Sequence, residues 1–460
     1  MTGPLADAGG LLARVAEGTS SLGGRLVAHG VGSREDLPLP FAVAVGGAAA
    51  ALLVSFVALA LLWPTPRIRG ADAGRPLPPW ACALLDSRAS RVLAAAAGLA
   101  FSAYVLVALL LGRDDADNPV PFVVYVLLWV GVVPLSVALG PVWRRISPVR
   151  TLHRLVMLAA RSDPRDGVLP LPASVGLWPA AAGLLAFTWL ELVAPDNATL
   201  PVLRIAIALH LGLQLLAGLL FGSGWFERGD PFEVWSSLFG RLSPLGRRAD
   251  GRLVVRSPLA GLDALPAVPG LPATVAVMLG TTAYDSASGS PRWFTYVQSS
   301  TNPTLVSTLG LVTVVVVVGL ALAACTALAG RLAGRDPWRM PGAFAPSVVP
   351  IALGYVVAHY WSLLVVEGQN ALIALSDPLG TGADVLGLGG RAADTALAQP
   401  TLVASVQVVA IVTGHVVGVV LAHERAVSLF GRGHAVVGQL PLLVLMVGYT
   451  CGGLALLFSG

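Results

Sequence analysis

The chain contains no lysine: all 29 of its basic residues are arginine. Charge of either sign is scarce, at 12% of 460 residues, where a soluble globular domain carries about 25%. That scarcity, with a mean hydropathy of +0.78, excludes a water-soluble enzyme and a disordered chain alike. Cysteine is nearly absent too. Cys82, Cys325 and Cys451 stand far apart, which excludes a disulfide framework and a CxxC metal site. No HExxH, GxSxG, Walker A or GxGxxG pattern occurs, which removes the zincin, α/β-hydrolase and nucleotide-driven classes. Residues 1–39 lack a basic start followed by an apolar core, so they do not read as a signal peptide. They read as an extracytoplasmic N-terminal segment, in part disordered.

What the sequence has is long apolar runs. A hydrocarbon core of about 30 Å takes about 20 helical residues to cross. Ten such runs occur, at roughly 41–63, 92–112, 120–142, 174–195, 202–222, 271–288, 304–329, 346–366, 400–422 and 436–458. They are rich in Val, Ala, Leu and Gly without two-residue alternation, which argues against a β-barrel. The expected fold is an all-α integral membrane bundle over residues 40–460. The run at 271–288 is the weakest, because polar residues crowd its end.

Arginine sets the orientation. With ten spans and an outside N-terminus, the inside loops hold 22 arginines and the outside segments 7. That split follows the positive-inside rule and predicts both termini outside, in a bacterial cell (inner) membrane. The net charge of +4 is then a mark of topology, and no nucleic-acid partner is implied.

Three inside loops share a Pro-led turn: SPVRTLHRL from Ser147, DPFEVWSSL from Asp230 and DPWRMPGAF from Asp336. Ser or Asp before Pro favours a helix start. Each turn leads into an outgoing span with an acid near its outer end: Glu191, Asp285 and Glu367. This pattern predicts weakly repeated hairpins at 143–222, 230–329 and 336–423. Repeats in a membrane bundle point to a site near their common axis.

Ionisable residues inside spans cost roughly 2.5–3.5 kcal/mol each on insertion scales and usually face the bundle interior. Here they are Glu191, His210, Asp285, His359, Glu367 and His415. The acids lie toward the outside and the histidines near the midplane. Gln214, Gln407, Tyr360 and Tyr449 read as hydrogen-bonded glue between helices. His423 and Glu424 read as a solvated helix end. Imidazole with carboxylate suits Zn or a related divalent cofactor, so His210, His359 and His415 are the candidate metal ligands. His359, Glu367, Asp285 and Glu191 are the candidate catalytic residues. The same residues can line a pathway for a proton, an ion or a small-molecule substrate.

Several stretches carry a family resemblance. VAHGVGSREDLPLP before the first span, TWLELV, GTTAYDS, AHYWSLLVVEGQ and GHVVGVVLAHERA together resemble a family of actinobacterial polytopic membrane proteins commonly labelled fenitrothion hydrolase. The resemblance runs from about Val27 to the end. Members tend to begin near the AHG stretch, which would make residues 1–26 an extension, and they tend to carry Phe where this chain has Tyr284. The label implies hydrolysis of an organophosphate triester, and no catalytic residues carry over with it. Three functions therefore compete: a metal-dependent membrane hydrolase, an ion or small-molecule permease, and a membrane subunit of a larger complex.

Overall fold

A computed structural model describes residues 40–458 except 69 and 432, so the expectation for residues 1–39 lies outside the described residues. The chain folds as an all-α helical bundle. Among the described residues, nine helices are long and apolar enough to cross a membrane. These are α1 (Phe41–Leu62), α2 (Arg88–Leu111), α3 (Pro119–Leu139), α5 (Trp178–Leu192, entered through Ala173–Val175), α6 (Leu200–Phe221), α9 (Pro303–Leu332), α10 (Met340–Ser362, extended to Ala374), α11 (Pro400–Phe430) and α12 (Ala435–Leu457). Between them lie α4 (Pro148–Ala159), α7 (Pro231–Gly240) and α8 (Leu271–Ser288).

The weak sixth run is helix α8, and its polarity has a physical reason. It packs on α5, α9, α10 and α12, with most of its residues buried by protein. A helix walled by other helices need not be apolar enough for lipid. Its threonines bond back into their own helix, Thr274 to the Gly270 carbonyl, Thr281 to Val277 and Thr282 to Met278, at 2.8–3.0 Å. Their hydroxyls are thus satisfied with no help from outside.

The tightest element of the bundle is the crossing of α10 with α11, the most extensively packed pair of helices. A Cβ on Gly354 would stand 2.5 Å from the Ala410 carbonyl oxygen, and one on Gly414 2.6 Å from that of Pro350. Only glycine lets the two backbones meet there, the small-residue logic of membrane helix pairs.

Two spans are not plain α-helices. Val123–Gly131 within α3 and Leu363–Glu367 after α10 wind as π-helix, and the two segments pack against each other. Such windings are rare and concentrate at functional sites.

The three Pro-led turns do open helices. Ser147 accepts from the Arg150 amide, Asp230 from Phe232 and Asp336 from Trp338. At this arginine-rich end, two loops also join in a small antiparallel sheet of β1 (Arg75–Pro76), β2 (Leu245–Arg247) and β3 (Leu253–Val255), with β3 central. Buried Glu233 on α7 receives two bonds from Arg150, 2.9 Å from Nε and 2.7 Å from Nη2.

His423 and Glu424 are not a solvated end; each is 2% exposed. Glu424 accepts from Trp63 Nε1 and from the Arg67 and Ile68 amides, each at 2.8 Å, and His423 Nε2 meets the Trp63 carbonyl at 2.9 Å. The pair clasps the chain leaving α1. Backbone amides with no helical partner found a carboxylate, a structural use that no sequence spacing reveals.

Candidate functional site

The site gathers where α8 meets α10. Asp285 comes from the enclosed helix, and consecutive His359 and Tyr360 come from the broken one. One oxygen of Asp285, Oδ2, lies 2.8 Å from His359 Nε2 and accepts from the Tyr360 hydroxyl at 2.9 Å. The two donor rings stand edge to face, 89° apart, so both reach the same atom without clashing. Tyr355, one turn below His359, stacks on its ring at 5.5 Å and is hydrogen-bonded through its hydroxyl to Ser286.

A second carboxylate completes the set. Glu191, near the end of α5, is buried and lies within electrostatic range of Asp285, Tyr360 and Tyr125. Neither of its carboxylate oxygens has a hydrogen-bond donor among the described residues. Its backbone is held instead: the Asn197 side chain donates to the Glu191 carbonyl, and the Tyr125 hydroxyl to the Asn197 carbonyl.

The aromatic wall comes from the π segment of α3. Trp129 Nε1 donates to the Tyr360 hydroxyl at 3.3 Å, and its carbonyl accepts from Trp235 Nε1 at 3.1 Å. Trp129 also stacks on Trp235, with ring centroids 4.1 Å apart, and leans on Phe187. Tyr360 is thereby fixed from both sides, by an indole donor and a carboxylate acceptor.

Three of the sequence-predicted residues, Glu191, Asp285 and His359, meet in this cluster, and three do not. His210 is half-buried on α6, its ring against Phe232 at 5.2 Å. Glu367 is half-buried in the π turn after α10, where Asn370 donates to it at 2.8 Å. The eight-residue step from His359 to Glu367 predicts about 80° of rotation on a regular α-helix, but the π winding breaks that register. His415 is buried on α11, its Nδ1 2.9 Å from the Ile411 carbonyl oxygen, facing Tyr449 of α12.

The predicted metal set of His210, His359 and His415 is therefore not gathered. Each histidine has different neighbours, and no three His, Cys, Asp or Glu side chains among the described residues are placed to hold a metal ion. Of the polar residues read as glue, Gln214 is that: it donates to the Gly229 carbonyl and accepts from Trp225. Tyr360 is more, since it binds the central carboxylate. Sequence reading passed over Trp129 and Tyr125, because aromatics in an apolar span look like packing until their partners are known.

The chain is thus a multi-pass helical membrane protein with a carboxylate–imidazole–phenol cluster inside its bundle. No protein-family model, curated protein or solved structure matches it.

Proposed function

We propose that the protein is a proton-conducting permease of the bacterial cell membrane, with Glu191, Asp285, His359 and Tyr360 as its proton-handling site. One observation carries the reading: a single Asp285 oxygen holds both His359 and Tyr360, beside a second buried carboxylate. An imidazole nitrogen 2.8 Å from a carboxylate oxygen shares a proton with it, so the pair can take up or release one with small atomic movement. Glu191, lacking a donor, is a natural seat for a proton or a small cation. A proton or small cation held near the two acids offsets the repulsion between their charges.

The position supports the same use. Ionisable residues inside a membrane bundle mark ion and proton pathways. Interrupted spans beside such a site recur in transporters, and here one π winding carries Trp129 of the cluster while the other follows Tyr360 on its helix.

The experiment is proton flux into proteoliposomes under an imposed potential, read with an enclosed pH dye. Parent protein should carry flux well above empty vesicles, and Asp285→Asn should lower it by about a hundredfold, about 2.7 kcal/mol of lost function. Parent flux equal to that of empty vesicles would overturn the reading.

A second reading keeps the hydrolase implied by the resemblance. The Asp285–His359 pair has the geometry of an oriented general base, able to take a proton from water. It would act without the metal trio. Hydrolysis of an organophosphate triester by the purified protein in detergent separates the two, because a permease releases no product.

A further inference from the structure

Five arginines stand within residues 241–256, at positions 241, 247, 248, 252 and 256, against a single acid, Asp250. Three of them are neutralised. Asp86 pairs with Arg247, and Asp250 pairs with Arg248 and Arg252. The next acid along the chain, Asp263, faces Arg425 at 3.9 Å. Arg241 and Arg256 are left with no carboxylate in ion-pair distance among the described residues.

Arg256 is the anomaly, because it is only 8% exposed. A buried guanidinium is costly unless its charge and its donors are met. Here Nη1 alone has a partner, the Arg247 carbonyl at 3.3 Å, and buried Nε has none. Nε and Nη2 form the edge on which arginine takes two oxygens of one anion at once. Among the described residues that edge bonds to nothing.

Two glycines make the room for it. A Cβ on Gly246 of β2 would run into Nε and the guanidinium carbon of Arg256. One on Gly261, in the short helix Pro258–Asp263, would stand 2.9 Å from Arg256 Nη2 and overlap the Arg241 carbonyl oxygen. The tip of Arg256 therefore lies beside the Arg241 backbone. Burial first, and then the Arg256 charge, push the Arg241 guanidinium below its usual range. The depth is fixed by Ser243, whose hydroxyl donates to the Ala138 carbonyl in the last turn of α3 at 3.2 Å. The end of a spanning helix is the level of phospholipid headgroups.

We infer that Arg256, assisted by Arg241, is a binding site for a phosphate group at the arginine-rich face of the membrane. The unpaired edge supplies two parallel donors, and the two unneutralised cations supply the charge. Basic pockets between helices at the cytoplasmic face hold anionic headgroups in just this way. A phosphatidylglycerol headgroup and free inorganic phosphate share the chemistry, and they differ in the tether to the bilayer.

The test melts detergent-purified full-length protein with graded phosphatidylglycerol, phosphatidylcholine or inorganic phosphate. Phosphatidylglycerol or inorganic phosphate should raise the melting temperature of the parent saturably, and whichever saturates identifies the source. Phosphatidylcholine, which has no net charge, should not. Arg256→Gln and Arg241→Gln should each move half-saturation to about tenfold higher ligand or more, the loss of one charge-assisted hydrogen bond. Arg252→Gln removes the same charge from an exposed residue and should move it less than about twofold. Phosphatidylcholine as effective as the anions, or no rise with any of the three, would overturn the site. So would an Arg256→Gln protein that melts early with half-saturation unchanged, since Arg256 would then be structural only. Should Arg256→Gln fail to fold, Arg241→Gln decides by the same comparison with Arg252→Gln.

Discussion

At the scale of single residues, the cluster makes its sharpest demand on Tyr360. Its hydroxyl links Trp129 to Asp285, so Tyr360→Phe leaves one acceptor short of a donor in a dry interior, a loss of about 1–3 kcal/mol. Flux should fall and melting temperature should drop together. His359→Gln separates differently: flux should vanish while thermal stability barely moves, and a variant that melts early would make His359 a structural residue only. Outside the spanning helices, at the start of α7, Asp230 offers a pH test. Burial, opposed by the Trp143 indole and nearby amides, pushes its carboxyl up to about 6, and burial raises its neighbour Glu233 to about 6 against the pull of Arg150. Both pKa values are above their unfolded ones, so this contribution is full below pH 4 and lost as pH rises through 6. Melting temperature should therefore fall across that window, and Asp230→Asn, which keeps the acceptor for Trp143, should flatten part of the fall; an unchanged slope would count against it. The two acids and one histidine that converge were visible in the sequence, since charge inside an apolar run is conspicuous. Which of them converge was not visible. Convergence depends on helix rotation, and a π turn that carries no sequence mark reset it between His359 and Glu367.

Among the elements, the α10–α11 crossing is the one a single methyl group can break. Gly354→Ala puts a Cβ 2.5 Å from a backbone oxygen that has no room to retreat, so the helices must part. The expected cost is roughly 1–3 kcal/mol, typical of overpacking, read as a lower melting temperature in detergent. Gly448→Ala on α12, where a Cβ meets nothing within 4 Å, is the control and should be silent. GHVVG already carried the small-residue spacing of such a contact, with Gly414 and Gly418, yet its partner Gly354 lies sixty residues earlier and no periodicity joins them. Helix α8 teaches the converse. Hydropathy alone undervalues a span whose surroundings are protein, and its threonines, read as a sign of weakness, are what allow it to sit at the centre.

For the whole molecule, the arginine asymmetry makes the orientation testable. A reporter active only in the cytoplasm, fused after the last residue, should be silent, and one fused in the loop after α4 should be active. The reverse pattern would invert the bundle. Fold class was legible from composition because a bilayer imposes length and apolarity on every span it touches. The clasp at the arginine-rich end was illegible for the opposite reason: Glu424 serves amides 356 and 357 residues away, and nothing local announces such a partner.

That separation has a consequence for how the protein is made. A ribosome adds about 5–20 residues each second, so the amides of Arg67 and Ile68 emerge roughly 20–70 s before Glu424 exists to receive them. Throughout that interval the stretch after α1 has to be kept by water, lipid headgroups or the insertion machinery. The last act of assembly is then a handover, in which a late helix takes charge of an early loop.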